Sequence, residues 1–125
     1  MIIDTDVLIW YLRGNEKARQ AIRQANNFQI SVITYMELVQ GMRSKKELDQ
    51  LRKALKIWNT KILHISEEIS TKAMFYVEEY FLSHSLQLAD ALIGATAISY
   101  SSPILTGNDK HYKTLKKLEI IPFRP

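Results

Sequence analysis

Apolar positions divide this chain into short runs of a few residues and longer stretches where they recur every three or four. A short run predicts a buried strand and the longer period predicts an amphipathic helix. Met1-Ile2-Ile3 opens as a strand, and residues 7–13 read as a first helix closed by Gly14. Asn15 can cap a second helix over 16–26, with Ala18, Ala21, Ile22 and Ala25 on one face. Residues 28–32 read as a strand, and Thr34 opens a third helix that ends near 41–44. A fourth helix over 45–58 carries the stripe Leu48, Leu51, Leu55 and Trp58, with lysines and arginines between. Residues 61–65 are a third strand. Ser66 then caps a helix running to about residue 83, with Glu67 and Glu68 in its first turn, where acids suit the helix dipole. After a loop over 84–87, residues 88–100 form a helix that is apolar nearly all round, which predicts burial. Gly94 and the neighbouring alanines should let it lie close to the sheet. Residues 103–106 are a fourth strand, 107–109 a turn, the stretch to about 118 a short helix, and 120–121 an edge strand.

Strands alternating with helices predict an α/β domain: a parallel sheet of four to five short strands with helices on both faces. The 125 residues suit one domain spanning 1–125, and a 46% hydrophobic content suits a packed core. The absence of cysteine excludes disulfide scaffolds and thiolate metal sites, and agrees with a cytoplasmic setting. The start meets Asp4 and Asp6 almost at once, with no basic and then apolar stretch, so no signal peptide is visible, and no apolar run approaches the ~20 residues of a membrane span. The formal net charge is +4. If several acids gather in one site, the remaining surface is more basic than that, which suits a polyanionic partner.

The acids have a pattern of their own. Asp4 and Asp6 follow the first strand, Glu37 lies early in the third helix, Asp90 lies in the first turn of the buried helix, and Asn108 and Asp109 follow the fourth strand. In a parallel sheet, sites are built at strand carboxyl ends. Two like charges ~4 Å apart repel by roughly 4 kcal/mol at an effective dielectric near 20, a cost that a cation between them removes. Ordinary roles compete for each residue. Thr34-x-x-Glu37 has the pattern of a capping box, and Asp4, Asp6, Asn108 and Asp109 can all cap helices or shape turns. Asp90 resists that explanation best, because a carboxylate beside a helix built for burial needs a partner. Oxygen donors without cysteine favour a hard cation, Mg²⁺ or Mn²⁺, and such a centre suits phosphoryl chemistry.

Four segments taken together resemble the PIN-domain ribonucleases: Asp4-Thr5-Asp6-Val7-Leu8-Ile9, Ile33-Thr34-Tyr35-Met36-Glu37-Leu38, Asp90-Ala91-Leu92-Ile93-Gly94-Ala95-Thr96-Ala97, and Leu105-Thr106-Gly107-Asn108-Asp109-Lys110-His111-Tyr112. The nearest likeness is to the VapC toxins of VapBC toxin–antitoxin pairs, and it spans the whole chain. Each motif alone is weak; the four in order are specific. The resemblance implies a three-layer α/β/α domain and a Mg²⁺- or Mn²⁺-dependent endoribonuclease that leaves a 5′-phosphate. It also implies a homodimer silenced by a VapB-like antitoxin, with RNA as substrate. By position, Asp4, Glu37 and Asp90 would bind the metal. The family's fourth acidic position falls on Asn108, where this chain departs from the fully acidic version; asparagine also occurs there in toxins of this type, and Asn108 or Asp109 would orient water. Asp6, often Ser or Asn in the family, would hold a metal-bound water or add a ligand, and Asp109 would either compensate for Asn108 as a metal contact or only cap the following helix; both rank below the three core acids. Arg13, Arg43, Lys45, Lys46, Lys110 and Lys113 are candidate phosphate contacts. The third and fourth helices should form a projecting hairpin, a region that in the family takes part in dimerisation and in holding the antitoxin.

Two other readings compete. Asp4-x-Asp6-Val7 is similar to the nucleophile motif of haloacid-dehalogenase phosphatases, and Gly107-Asn108-Asp109 to their late acidic motif. The chain is short for that fold with a cap, and Glu37 and Asp90 would be unexplained. A receiver domain needs a phosphorylatable Asp after the third strand, where this chain has His64-Ile65. The second alternative is a PIN-like module that binds RNA or a partner without cutting, its site weakened by Asn108.

Overall fold

A computed structural model describes all 125 residues. Five strands form one parallel sheet: β1 (Ile2–Ile3), β2 (Gln29–Ser31), β3 (Lys61–Leu63), β4 (Ile104–Thr106) and β5 (Ile120–Pro122), in the order β3-β2-β1-β4-β5. Seven helices connect them: α1 (Thr5–Leu12), α2 (Glu16–Ala25), α3 (Val32–Gln40), α4 (Lys45–Ile57), α5 (Glu67–Tyr80), α6 (Leu88–Ser99) and α7 (Asp109–Tyr112). The first strand of the sequence is therefore the central strand of the sheet, flanked by β2 and β4.

The strand alternation splits the core in two. Ile2 and Ile104 point to one face, where Ile69, Ala73, Ala91, Ala95 and Leu115 cover them. Ile3, Ile30 and Leu105 point to the other, against Val7, Leu8, Ile22, Leu51 and Phe123. The three layers expected from the sequence are present.

Several boundaries move for local reasons. Strand 28–32 ends at Ser31 because the Ser31 side chain accepts from the Ile33 backbone N–H and starts α3 there. Thr34 is thus inside the helix instead of opening it. Ser44 and Ser66 cap α4 and α5 by accepting from the N–H groups of Glu47 and Ile69. The helix expected to reach residue 118 stops as α7 at Tyr112, and the rest turns back to β5. Gly94 does admit a close approach, but of Leu115 and not of the sheet: a Cβ there would stand 2.5 Å from Leu115 Cδ1. The stripe on α4 belongs to the core. Leu51 and Leu55 are buried, with Leu48 and Trp58 partly exposed at its ends.

Candidate active site

The carboxyl end of β1 delivers Asp4 into the protein. Its side chain is 3% exposed and is held from two directions. Oδ1 accepts from the Thr5 backbone N–H at 2.8 Å, which makes Asp4 the N-cap of α1. Oδ2 accepts from the Thr106 hydroxyl at 2.7 Å, across the β1–β4 pairing. Capping and site membership are therefore not alternatives for this residue. Burial, and next the charge of Asp6, push the Asp4 carboxyl up to about 7, against the opposing pull of the Thr106 and Thr5 donors.

Asp6 stands in the first turn of α1. Its Oδ2 accepts from the Gly107 backbone N–H at 2.9 Å, while Oδ1 is buried with no hydrogen-bond partner at all. Burial raises its pKa too. Neither carboxylate, nor that of Glu37, has a lysine, arginine or histidine within salt-bridge distance.

Glu37 is not part of a capping box. With α3 starting at Val32, it falls in the second turn, and its Oε1 accepts from the Thr5 hydroxyl at 2.7 Å. Thr34 also points inward, its hydroxyl 3.0 Å from that of Thr5. Thr5 thus ties the third helix to the end of β1.

Asp90 departs from expectation in one respect. It does have protein partners. Its Oδ2 accepts from the Gln87 backbone N–H at 3.0 Å, completing a capping box on α6, and lies 3.2 Å from His111 Nδ1. Burial at this helix is concentrated between Ala91 and Ala97, so the first turn opens toward the site edge.

Asn108 follows β4 with an exposed side chain that makes no capping bond. Its backbone N–H donates to Thr106 Oγ1 at 2.9 Å. Asp109 turns the other way. Both of its oxygens meet Arg124, at 3.0 and 3.2 Å, and that guanidinium holds the carboxyl below the usual range.

Tyr112 connects the set. It is fully buried, and the charges of Asp4, Asp90 and Asp6 all reach its hydroxyl, which burial already drives well above the ordinary tyrosine value. The hydroxyl lies near enough to Asp4 to bias its titration, yet it makes no hydrogen bond of ordinary geometry. Thr5, Thr106, Gly107, His111 and Tyr112 are the participants that acid-counting missed. The Leu105–Tyr112 segment was the signal that contained four of them.

As the side chains stand, no three acids or histidines converge closely enough to hold one ion. The donor chemistry still fits a hard cation. The acids offer oxygen only, Asp4 is buried without a compensating base, and the half-buried Asp6 has an orphaned buried oxygen in Oδ1. A phosphatase reading fares worse, because both oxygens of the would-be nucleophile Asp4 are already engaged.

The family model for the PIN domain matches residues 1–118. Ribonuclease VapC10 of Mycobacterium tuberculosis is 30% identical over 123 residues, covering 95% of this chain and 90% of that protein. Ribonuclease VapC1 of Methanocaldococcus jannaschii is 28% identical, covering 94% and 82%. Among solved structures, a chain of a toxin–antitoxin complex from Klebsiella pneumoniae superposes with a TM-score of 0.78 at 28% identity, covering 99% of this chain and 98% of its own.

Proposed function

The chain belongs to the PIN-domain family, and from that premise we propose that it is a divalent-metal-dependent endoribonuclease, the toxin half of a VapBC-type pair. One observation carries the metal-dependent part of this reading. Asp4, buried, and Asp6, half-buried, sit at the carboxyl end of the central strand without any basic partner, and Asp6 keeps one buried oxygen unpaired. A folded chain tolerates such a pair when a cation is its partner.

Asp4, Glu37 and Asp90 would hold Mg²⁺ or Mn²⁺, with Asp6 adding its unpaired oxygen. Asp109 is the weaker candidate, since Arg124 occupies both of its oxygens. When bound, the ion activates water and neutralises charge on the scissile phosphate. The chain's own residues set the geometry. Thr106 fixes one Asp4 oxygen, Thr5 fixes Glu37, and His111 with the Gln87 N–H fixes Asp90. Asn108, exposed at the mouth, orients the attacking water. Arg13 and Arg43 line a groove of about 540 Å³ that Glu37 also lines, a suitable track for an RNA backbone.

The protein partners follow from the outer surface. Met74, Phe75, Phe81, Leu82 and Leu88 are all more than half exposed around the end of α5 and the start of α6. An apolar patch of that kind supports docking of a second copy or of a VapB-like antitoxin. No helix is long and apolar enough to cross a membrane. The deciding experiment maps new RNA 5′ ends after induced expression, wild type beside Asp90→Asn. New ends with wild type alone support the ribonuclease; identical end maps from two soluble, folded proteins defeat it and favour the non-cleaving binder.

A further inference from the structure

At the opposite end of the sheet lies a second concavity that the acids do not share. Phe28 and Asn59 precede β2 and β3, so this cleft opens at strand amino ends, whereas Asp4 follows the carboxyl end of β1. Its volume is about 450 Å³, within the ~300–1,000 Å³ common for small-ligand sites. Ile22 and Phe28 are buried in its floor.

Its walls combine three kinds of group. Tyr11 and Trp58 meet edge to face, with ring centroids 5.0 Å apart, and Phe28 backs the indole at 5.8 Å. Trp58 stays partly exposed, so part of the indole faces the cleft. Arg19 and Arg23 supply two guanidiniums. Only Arg19 has an acidic neighbour, Glu16 at 4.0 Å, on an exposed pair that holds it weakly. Finally come Asn26, Asn27 and Asn59, with φ of 30°, 57° and 54°. Four non-glycine residues in the chain have positive φ, and three of them line this one cleft. Backbone conformations of this cost persist where surrounding structure enforces them, and they cluster at binding sites.

An aromatic wall, side-chain amides and two adjacent guanidiniums match the parts of a nucleotide. Rings stack on a base, guanidiniums take the phosphate, and amides read the base's donor and acceptor edge, here with Asn59 Nδ2 donating to Asn27 Oδ1 at 3.3 Å and Asn26 making no side-chain bond. We propose that this cleft is a second binding site, separate from the acidic centre, for a nucleotide unit whose base lies against Trp58 and Tyr11 and whose phosphate meets Arg19 and Arg23. That unit can come from a free nucleotide or from a single-stranded RNA passing over this end of the molecule.

The test uses the whole chain in EDTA, so it involves no cleavage and stands apart from the ribonuclease reading. Adenosine 5′-monophosphate, uridine 5′-monophosphate and a short single-stranded RNA are titrated into wild type and into the Arg19→Gln/Arg23→Gln variant, while the two tryptophan indole N–H signals are followed by NMR. Both arginines are exposed, so the variant should keep the wild-type melting temperature. The expected result is a moving Trp58 signal, a still Trp10 signal, and binding weakened roughly tenfold per guanidinium lost. Loss of mononucleotide binding identifies a free-nucleotide site. Loss confined to the RNA, with a salt dependence reduced by about one ion per phosphate contact, identifies an RNA subsite. Equal affinities in wild type and variant, no binding of any probe, or a response at Trp10 and not Trp58 overturns the proposal.

Discussion

Gly107 and Asp6, 101 residues apart, are joined by a 2.9 Å hydrogen bond from the Gly107 backbone N–H to Asp6 Oδ2, and a Cβ at Gly107 would stand 2.6 Å from that same oxygen. Close approach, not an unusual φ, is what demands glycine here. Gly107→Ala must displace Asp6 or open the loop, and the Phe123 carbonyl at 3.3 Å blocks the easy retreat. Losing a bond to a charged acceptor should cost about 1.5–3 kcal/mol in urea unfolding, together with most RNA cleavage. A variant of wild-type stability and activity would mean that Asp6 swings aside freely and has no fixed task.

The Asp4–Asp6 pair sets a pH dependence. Burial first, and the Asp6 charge second, raise Asp4 from 3.8 to about 7, and burial raises Asp6 in the same direction. The folded chain therefore binds a proton more tightly than the unfolded chain does. Between about pH 4 and 7 the unfolded state releases that proton first, so unfolding free energy falls as pH rises. That rise in the Asp4 value corresponds to roughly 4 kcal/mol across that window. Urea melts in EDTA at pH 5 and pH 8 should show wild type weaker at pH 8. Asp4→Asn, which keeps an acceptor for the Thr5 N–H, should flatten the difference. A wild type whose stability is level across this range rules out the strained pair.

A divalent cation should reverse that trend. It binds the ionised acids, so it competes with protons and stabilises more at pH 8 than at pH 5. At a hundredfold excess over its dissociation constant the gain is ~2.7 kcal/mol. Thermal melts with Mn²⁺, repeated after chelation and repeated on Asp4→Asn, check this. If Mn²⁺ leaves the wild-type melting temperature unchanged at both pH values, the metal-centre reading fails.

Much of the fold could be read directly, because period-two and period-3.6 patterns are local. The caps at Asn15 and Ser66 were equally local, whereas the cap at Ser44 came only with the structure. What escaped was any interaction whose partners lie far apart in the chain. The Thr34-x-x-Glu37 spacing imitates a capping box, yet Ser31 takes the cap and both side chains turn toward Thr5, about thirty residues earlier. The Asp109 position suggested a ligand until Arg124 closed on it from the terminal segment. Asp90 looked partnerless because His111 is 21 positions away in sequence and shows no periodic relation to it. The acids could be found by type and order; the hydroxyls that hold them could not.

The α4 stripe shows the same limit, and it can be tested. Leu51 is 2% exposed in the core beneath α1 and β2, so Leu51→Asp buries an unpaired charge. It should unfold or aggregate the chain and not merely change its oligomeric state. Phe75, 63% exposed on α5, offers the contrast. Phe75→Asp should keep the wild-type melting temperature and delay elution on size exclusion if that face joins two copies. A folded, unchanged Leu51→Asp protein would place α4 outside the core.

Thr106 on β4 reaches across to the acid that ends β1. Its hydroxyl donates to Asp4 Oδ2 at 2.7 Å and accepts from the Asn108 backbone N–H at 2.9 Å, so one side chain positions both a carboxylate and the loop that follows β4. Thr106→Val keeps the shape and removes both bonds, leaving one buried acceptor and one donor unpaired. Each group costs ~1–3 kcal/mol when stranded. The Thr106 donor also lowers the Asp4 pKa, so its removal raises that value further. The pH at which Mn²⁺-dependent cleavage reaches half its maximum should then move upward, a change that simple loss of stability does not produce. Thr106→Ser restores the hydroxyl and should bring the pH profile back while recovering less of the stability, since it lacks the methyl group packed in a fully buried site. A valine variant with reduced stability but an unshifted profile would assign Thr106 to the scaffold alone.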